Sequence, residues 1–427
     1  MWSSLEPGVK LSPNLFLLRS HKLRVHGHFP PSSRVRELEY AIREIAALAR
    51  ELERKGRRVI YLNIGDPPRY GFSPPPILRR ALAEAIEEGY NFYAPSEGLE
   101  EFRQAIAERE RRTNGVEMEA EDVIVTQGVS EAISFIMAAM LEEGDEVLLP
   151  SPCYPVYVNY VRLHGGIPRF YRIVEEGGEW KIRLENSPIS PRTKIVVIIN
   201  PHNPTGALLS REELASLIDA AREVGACIVS DEIYDRIVFE GDFYSTATLS
   251  DDVPVIGLNG FSKSYMVTGW RIGYMYFSDP EGRLTEVKEA IVKLARNRLS
   301  ASTPAQKALA EVIRSGESFI EDLKREFKRR RDLLLDLMGE VEGAVLTAPR
   351  ATFYAYPRLT VKGDWGDDLG FAKKLLMEEG VAVVHGTGFY DYRRDRFRLV
   401  FLPPPDVLGE AVEKIRAFIK RHASQAQ

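Results

Sequence analysis

The first regular pattern of hydrophobic positions begins near Val35. Apolar side chains recur there at spacings of three and four residues, the spacing of one face of a helix: Leu38, Ile42, Ile45, Leu48 and Leu52. The pattern predicts an amphipathic helix that ends near Gly56. A strand is predicted over residues 59–64, and Gly65-Asp66-Pro67-Pro68 then stops regular structure because proline cannot continue it.

Between about residues 78 and 276, helical stretches alternate with short runs of β-branched residues. Each run is uniformly apolar, as in strands that helices cover on both faces. The predicted strands are residues 123–126, 146–149, 195–199, 228–230 and 255–258. This alternation predicts an α/β domain with a mostly parallel central sheet covered by helices.

The residues from about 303 onward mix helices with short strands. Strands are predicted over residues 352–356, 382–384 and 397–401, and helices over residues 371–379 and from Asp406. Together with the first helix they predict a smaller α+β domain. The predicted division is an N-terminal extension (1–32), the N-terminal part of the small domain (33–67), the large domain (68–302) and the C-terminal part of the small domain (303–427).

Composition narrows the classes of function. The chain has 427 residues and a formal net charge of -5, which gives no electrostatic reason to bind nucleic acid or a membrane and favours a small-molecule substrate. Cys153 and Cys227 indicate neither a disulfide framework nor a metal site, and a cytoplasmic setting is expected. No apolar run is long enough for a membrane span. The basic residues 1–30 leave an organelle transit peptide open beside the preferred interpretation, a loosely ordered extension.

Polar side chains follow three neighbouring predicted strands. They are Asn-Pro-His-Asn-Pro-Thr-Gly at residues 200–206, the pair Asp231 and Tyr234, and the loop around Lys263. Because ligands gather beyond the carboxyl ends of parallel strands, the three loops are expected to meet in one crevice.

Several of these residues have both a functional and an ordinary interpretation. Lys263, beside Ser262 and Arg271, is either a solvated lysine or an imine-forming nucleophile whose ammonium form is disfavoured. Asp231 is either a helix cap or a buried anion for a pyridinium nitrogen. The backbone at 128–130 is either a plain strand-to-helix turn or a phosphate site at a helix N-terminus.

Taken together, the motifs resemble the fold-type I pyridoxal-phosphate (PLP) enzymes, specifically the class I aminotransferases. The resemblance runs from about Val35 to the C-terminus. The matching segments are residues 90–93 with Gly98, 125–129, 150–155, 200–206, 230–234, 262–265 with 268–273, and 397–399. The resemblance implies PLP as cofactor and a large domain with the PLP-transferase fold.

The resemblance also implies roles for individual residues. Lys263 would form the internal aldimine and shuttle the proton between the substrate α-carbon and the cofactor. Asp231 would keep the pyridine nitrogen protonated, Asn203 and Tyr234 would bind the phenolic oxygen, and Tyr154 would stack on the ring.

Phosphate and substrate sites follow from the same resemblance. The phosphate would be bound by Ser262, Arg271 and the amides of Gly128, Val129 and Ser130, with Tyr93 supplied by the other subunit of a homodimer. Arg398 would clamp the substrate carboxylate, assisted by the Gly65 amide and Asn203.

Within the class, four further segments look like the alanine aminotransferases of archaea and bacteria. They are residues 62–67, 259–263, 296–299 with 303–306, and 401–404. The expected reaction converts L-alanine and 2-oxoglutarate to pyruvate and L-glutamate. Three parts of the sequence depart from the usual pattern: His202, the segment 349–354, and the pair Tyr390 and Tyr392. The two tyrosines are expected near the substrate side chain.

Because of these departures, an aromatic or broad-specificity aminotransferase is the first alternative. A PLP-dependent carbon-sulfur lyase would share the fold and Lys263. A PLP-binding transcriptional regulator is disfavoured by the short N-terminal extension, and a catalytically dead relative by the presence of Lys263, Asp231, Arg271 and Arg398.

Overall fold

In the computed structural model, residues 29–36, 38 and 40–424 are described. Their strands are β1 (Ile60–Tyr61), β2 (Val123–Thr126), β3 (Glu146–Ser151), β4 (Ile167–Glu176), β5 (Glu179–Arg183), β6 (Thr193–Ile199), β7 (Cys227–Asp231), β8 (Val255–Gly260), β9 (Gly273–Ser278), β10 (Ala344–Val345), β11 (Tyr354–Ala355), β12 (Arg358–Leu359), β13 (Val381–Ala382), β14 (Val384–His385) and β15 (Phe397–Val400). Eight of them form the central sheet, in the order β2-β9-β8-β7-β6-β3-β4-β5.

The central sheet is mostly parallel, as predicted. Strands β4, β3, β6, β7 and β8 are parallel neighbours, whereas β5 and β9 pair antiparallel. All five strands predicted for this region are present. The prediction omitted β4, β5 and β9. Strand β4 alternates charged with apolar residues and lies half-exposed near the sheet edge, so it lacks the uniform apolar run of a central strand.

Helices from Ala41 onward cover the sheet and surround the smaller strands, and a short helix lies in the segment before Leu38. They are α1 (Ser33–Arg36), α2 (Ala41–Arg54), α3 (Pro76–Glu87), α4 (Glu100–Asn114), α5 (Val129–Met140), α6 (Pro155–Leu163), α7 (Arg211–Val224), α8 (Thr285–Arg298), α9 (Thr303–Ser315), α10 (Phe319–Gly339), α11 (Asp368–Glu379) and α12 (Pro405–His422). Among the described residues, no helix has the length and apolarity needed to cross a bilayer.

Local sequence signals explain where these helices begin and end. The Ser210 hydroxyl accepts a hydrogen bond from the Glu213 amide, and the Glu213 carboxylate accepts one from the Ser210 amide, which together form a capping box at the start of α7. Gly225 ends the same helix in the left-handed conformation. These two caps fix where α7 begins and ends between β6 and β7.

The N-terminal prediction differs from the structure in its boundaries. The long helix begins at Ala41 instead of Val35, and α1, which buries no residue, lies before the division of the chain at Glu37 and Leu38. The strand predicted over residues 59–64 is reduced to β1, which pairs in parallel with β13. Pairing with a strand of only two residues limits how far β1 extends.

The buried apolar residues form clusters around the central sheet and a separate cluster around the short strands. The central sheet packs against helices on both faces. A separate cluster joins α2, α10, α11 and α12 to the short strands β11, β13 and β15. The domain boundaries given above remain a prediction.

Candidate active site

A cavity of about 570 Å³ opens where the loops after β6, β7 and β8 meet. Eleven of the residues predicted to bind cofactor or substrate line it: Gly65, Val129, Ser130, Tyr154, Asn203, Asp231, Tyr234, Ser262, Lys263, Arg271 and Arg398. Two predicted residues do not. Gly128 lies directly behind Arg271, and Tyr93 is 78% exposed on the surface.

The amine of Lys263 lies inside this cavity. Its Nζ donates a hydrogen bond to the Gly65 carbonyl at 2.9 Å. Burial lowers the pKa of Lys263 to about 8, with Arg271 and Arg398 adding to this shift and Asp66 and Asp231 opposing it. The amine is therefore uncharged more often near neutral pH than an exposed lysine, as an imine-forming nucleophile requires.

Asp231, at the end of β7, supplies a buried carboxylate. It accepts hydrogen bonds from the Tyr157 hydroxyl at 2.8 Å and the Ile233 amide at 3.2 Å. Burial raises the pKa of Asp231 to about 6, although both hydrogen bonds and Lys263 oppose this shift. No ion pair to Asp231 occurs within the described part of the chain, so the carboxylate is suited to a cationic group of a ligand.

Positive charge, opposite to that of the Asp231 carboxylate, is concentrated at the start of α5. Arg271 donates to the Thr268 carbonyl at 3.0 Å and to the Gln127 carbonyl at 3.2 Å. Gly128 has a φ of 79°, and a Cβ there would lie 2.4 Å from Nη2 of Arg271, so only glycine fits. The guanidinium and the helix N-terminus together form a site for an anion.

Arg398 is a second cation in the cavity, and it is only 1% exposed. It donates to Asn203 Oδ1 at 3.0 Å and to the Asn63 carbonyl at 2.7 Å. Its guanidinium lies between the rings of Tyr354 and Phe389, at 4.4 and 4.7 Å from their centroids. In residues 40–424 no carboxylate approaches it within ion-pair distance, so this buried cation is suited to a ligand carboxylate.

Other groups in the cavity were not predicted. The hydroxyls of Tyr354 and Tyr234 are 2.9 Å apart, and those of Tyr40 and Tyr154 are 3.0 Å apart. Arg43, in the first turn of α2, also lines the cavity. A Cβ on Gly65 would lie 2.1 Å from the Tyr354 hydroxyl, which explains the glycine there.

Few features of the sequence pointed to these residues. Tyr40 and Arg43 lie at the start of α2, whose pattern indicated only an apolar face. They are also far in the sequence from the loops that were predicted to form the cavity. Tyr354 lies in the segment 349–354, which stood out only because it departs from the usual family pattern.

Of the residues that depart from the family pattern, Tyr354 in the segment 349–354 lines the cavity, whereas His202, Tyr390 and Tyr392 do not. His202 is fully buried, and its Nδ1 lies 2.7 Å from the Thr205 hydroxyl. Tyr390 and Tyr392 line a separate surface depression with Arg169 and Arg172. The expectation that these two tyrosines lie near the substrate side chain gains no support from the Lys263 cavity, which neither of them lines.

The family model for aminotransferase class I and II matches residues 57–415. The chain belongs to this family. Alanine aminotransferase of Mycobacterium tuberculosis is 35% identical over 400 residues, which cover 92% of each chain. Glutamate-pyruvate aminotransferase AlaA of Escherichia coli is 33% identical over 395 residues, or 91% of this chain and 97% of that one.

A solved structure extends the similarity to the fold. Alanine aminotransferase from Pyrococcus furiosus superposes with a TM-score of 0.89 at 44% identity, covering 92% of this chain and 100% of that chain. The chain is thus a fold-type I aminotransferase, and the family depends on pyridoxal phosphate.

The residues in the cavity fit that cofactor. Pyridoxal phosphate presents a phosphate, a ring nitrogen that is cationic when protonated, and an aldehyde. The cavity offers an arginine at a helix N-terminus, a buried carboxylate without an ion-pair partner in residues 40–424, and an amine of lowered pKa. Each end of the cofactor has a chemically matched group.

Proposed function

We propose that the chain transfers the amino group of L-alanine to 2-oxoglutarate, which gives pyruvate and L-glutamate. The observation that supports this most strongly is the presence of Lys263, Asp231 and Arg398 in one cavity of limited size. Relatives named alanine aminotransferase, 35% and 44% identical to this chain, support the choice of donor.

The proposed cofactor contacts follow the positions in the cavity. Asp231 holds the ring nitrogen, Tyr234 and Asn203 face the phenolic oxygen, and Tyr154 packs on the ring. The phosphate is bound by Ser262, Arg271 and the amides of residues 128–130. When bound, the cofactor supplies a carbonyl that condenses with amino groups and a ring that withdraws electrons from the substrate α-carbon.

Lys263 then acts as the proton carrier. Its Nζ removes the proton from the substrate α-carbon and later returns a proton, so the same amine serves as general base and general acid. Arg398 binds the substrate carboxylate with two parallel hydrogen bonds and thereby orients the α-carbon toward Lys263. The rings of Tyr354 and Phe389 keep the guanidinium in place.

The side chain of the substrate faces the end of the cavity formed by α2. The paired hydroxyls of Tyr40 and Tyr154 narrow that end, which suits a methyl group. Arg43 lies on the same helix and is exposed, so its longer side chain is available for the distal carboxylate of 2-oxoglutarate or glutamate. One cavity can thus accept both a small apolar and an acidic substrate.

A homodimer with active sites at the subunit interface is part of the proposal. Phe92 and Tyr93 are 56% and 78% exposed, unusual for neighbouring large aromatic residues, and they precede Gly98 at the approach to β2. Tyr93 is proposed to reach the phosphate of the other subunit. The cytoplasmic setting inferred from the composition remains a prediction.

The donor is tested by a panel of amino acids with PLP, 2-oxoglutarate and the purified enzyme, with glutamate as the measured product. L-alanine is expected to exceed aspartate, phenylalanine and branched-chain donors in kcat/KM by tenfold or more, about 1.4 kcal/mol. A leading aromatic donor would instead support the broad-specificity alternative. Pyruvate from cysteine or cystathionine without an amino acceptor would support the lyase.

The acceptor is tested by Arg43→Gln. The KM for 2-oxoglutarate is expected to rise about tenfold or more, whereas the KM for alanine stays near its wild-type value, because only the former has a distal carboxylate. Arg50→Gln, an exposed change on the same helix, serves as the control. An equal rise for both substrates would contradict the role given to Arg43.

A further inference from the structure

Arg109, on α4, is a buried cation that does not line the Lys263 cavity. Its guanidinium donates to Glu110 at 2.7 Å and to Asp235 and Glu317 at 3.2 Å each. Arg109 is 1% exposed, and Glu110 and Asp235 are also buried. Burying such a cluster of charges costs more free energy of desolvation than forming an ion pair on the surface.

One partner of Arg109 is joined to the β7 loop. Asp235 follows Tyr234 directly, and Tyr234 lines the cavity. The same Asp235 oxygen that accepts from Arg109 also accepts from Asn259 Nδ2 at 3.0 Å. Asn259 lies near the end of β8, four residues before Lys263. A single carboxylate therefore links the loops that carry Tyr234 and Lys263.

Two further partners of Arg109, Glu317 and Tyr274, connect it to the segments that carry Lys263 and Arg271. Glu317 accepts from the Tyr265 hydroxyl at 2.6 Å, and Tyr265 is two residues after Lys263. Arg109 Nη1 also donates to the Tyr274 hydroxyl at 3.1 Å, three residues after Arg271. Side chains before and after Lys263 are thus linked to one guanidinium through the carboxylates of Asp235 and Glu317. The side chains of Asp235, next to Tyr234, and of Tyr274, after Arg271, contact it directly.

We propose that Arg109 is a positioning residue for transamination. Its planar fork holds the loops after β7 and β8 and the start of β9 in one register, so that Lys263, Tyr234 and Arg271 point into the same cavity. Lysine cannot replace it, because one ammonium group does not span acceptors on three sides. This inference rests on membership of the aminotransferase family and is independent of which amino acid is the donor.

The first test uses cofactor-free protein and hydrogen exchange. In R109K and R109Q, amides in residues 233–237 and 259–265 are expected to exchange about tenfold faster than in the wild type. Leu217→Ala, a cavity-forming change in α7 that removes none of these hydrogen bonds, serves as a matched control for general loss of stability. Exchange in both segments no faster than in the control would overturn the proposal.

The second test uses the loaded enzyme. Misplaced loops are expected to shift the pH midpoint of the visible absorbance of the bound cofactor and to lower kcat by roughly 10- to 100-fold. A purely structural Arg109 would lower the melting temperature alone and leave the midpoint at its wild-type value. That result in R109K, at the stability of the Leu217→Ala control, would contradict a positioning role.

A milder variant keeps the proposal testable if the arginine variants do not fold. Tyr265→Phe removes only the hydroxyl that donates to Glu317. Faster exchange confined to residues 262–266, with a smaller shift of the absorbance midpoint, is expected. Unchanged exchange there, together with an unchanged midpoint, would overturn the proposal. Both outcomes are independent of the donor panel, so failure of the alanine assignment is distinguishable from failure of this inference.

Discussion

The groups around Lys263 determine the pKa of its amine. Burial and two nearby arginines lower the pKa of the amine to about 8, while Asp66 and Asp231 limit the shift. The amine therefore remains able both to accept and to release a proton near neutral pH. The Gly65 carbonyl, 2.9 Å away, orients it toward the cavity.

Removal of this amine gives a direct prediction. Lys263→Ala is expected to lower the rate of transamination by at least roughly 10²- to 10⁴-fold, the usual contribution of a general acid-base group. It should also abolish the visible absorbance of lysine-bound cofactor, while the cofactor still binds non-covalently. Lys288→Ala, on the surface helix α8, should leave rate and spectrum unchanged. Full activity of Lys263→Ala would refute the assignment.

Arg398 permits an equally specific prediction. Arg398→Lys keeps the positive charge but loses the planar pair of donors, so kcat/KM for every amino donor should fall on the order of 100-fold. Arg394→Lys is the matched control, because Arg394 is exposed and pairs with Asp367 on the surface. A fall in kcat/KM for alanine alone would show that Arg398 contacts the substrate side chain instead of the common carboxylate.

At the scale of elements, the strand ends determine which residues meet. Uniform apolar runs predicted the central parallel strands, and the loops after β6, β7 and β8 converge as expected. The edge strand β5 and its neighbour β4 were missed because their charged residues alternate with apolar ones. Tyr40 and Arg43 were missed because helical periodicity indicates which face of α2 is buried, but not where the helix packs.

The end of β7 also carries a buried acid with no described cation beside it. Glu232 accepts hydrogen bonds from Ser230, Ser245 and the Thr246 amide at 2.9 to 3.0 Å. Burial, together with nearby Glu110, raises the pKa of Glu232 to about 8. The folded protein thus holds a proton that the unfolded chain, with an ordinary glutamate, releases near pH 4.5.

This raised pKa predicts a pH dependence of stability. Because the folded state binds more protons than the unfolded state between about pH 4.5 and 8, the free energy of unfolding should fall as pH rises through this range. Glu232→Gln should flatten that fall, whereas Glu84→Gln, on an exposed face of α3, should not. Denaturant unfolding at several pH values measures the difference. Parallel curves for wild type and Glu232→Gln would contradict the raised pKa.

In the molecule as a whole, one chain brings the proposed catalytic groups together in one cavity. The cavity collects lysine, carboxylate and arginine groups from loops between Gly65 and Arg398, which brings distant parts of the sequence together. Tyr93 is the exception, since it is exposed and does not line the cavity of its own chain. The motifs predicted this grouping well, because they lie at strand ends. The role proposed for Tyr93 would require a second chain.

Complementation tests the proposed dimer. The variants Lys263→Ala and Tyr93→Ala should each be weakly active, but a mixture unfolded and refolded together should regain roughly a quarter of wild-type activity by random pairing. In the mixed dimer, one site combines an intact Lys263 with an intact Tyr93 from the partner chain. Activity equal to the average of the separate variants would contradict a shared site.

An aminotransferase needs an amino acceptor for sustained turnover, whereas a lyase does not. The most direct measurement is the pyruvate and glutamate formed from L-alanine by the PLP-loaded enzyme, with and without 2-oxoglutarate. Equal amounts of the two products are expected, with sustained turnover only when the acceptor is present and a rate lowered at least roughly 100-fold in Lys263→Ala. Sustained pyruvate formation without 2-oxoglutarate, or no glutamate from any donor, would contradict the proposed function.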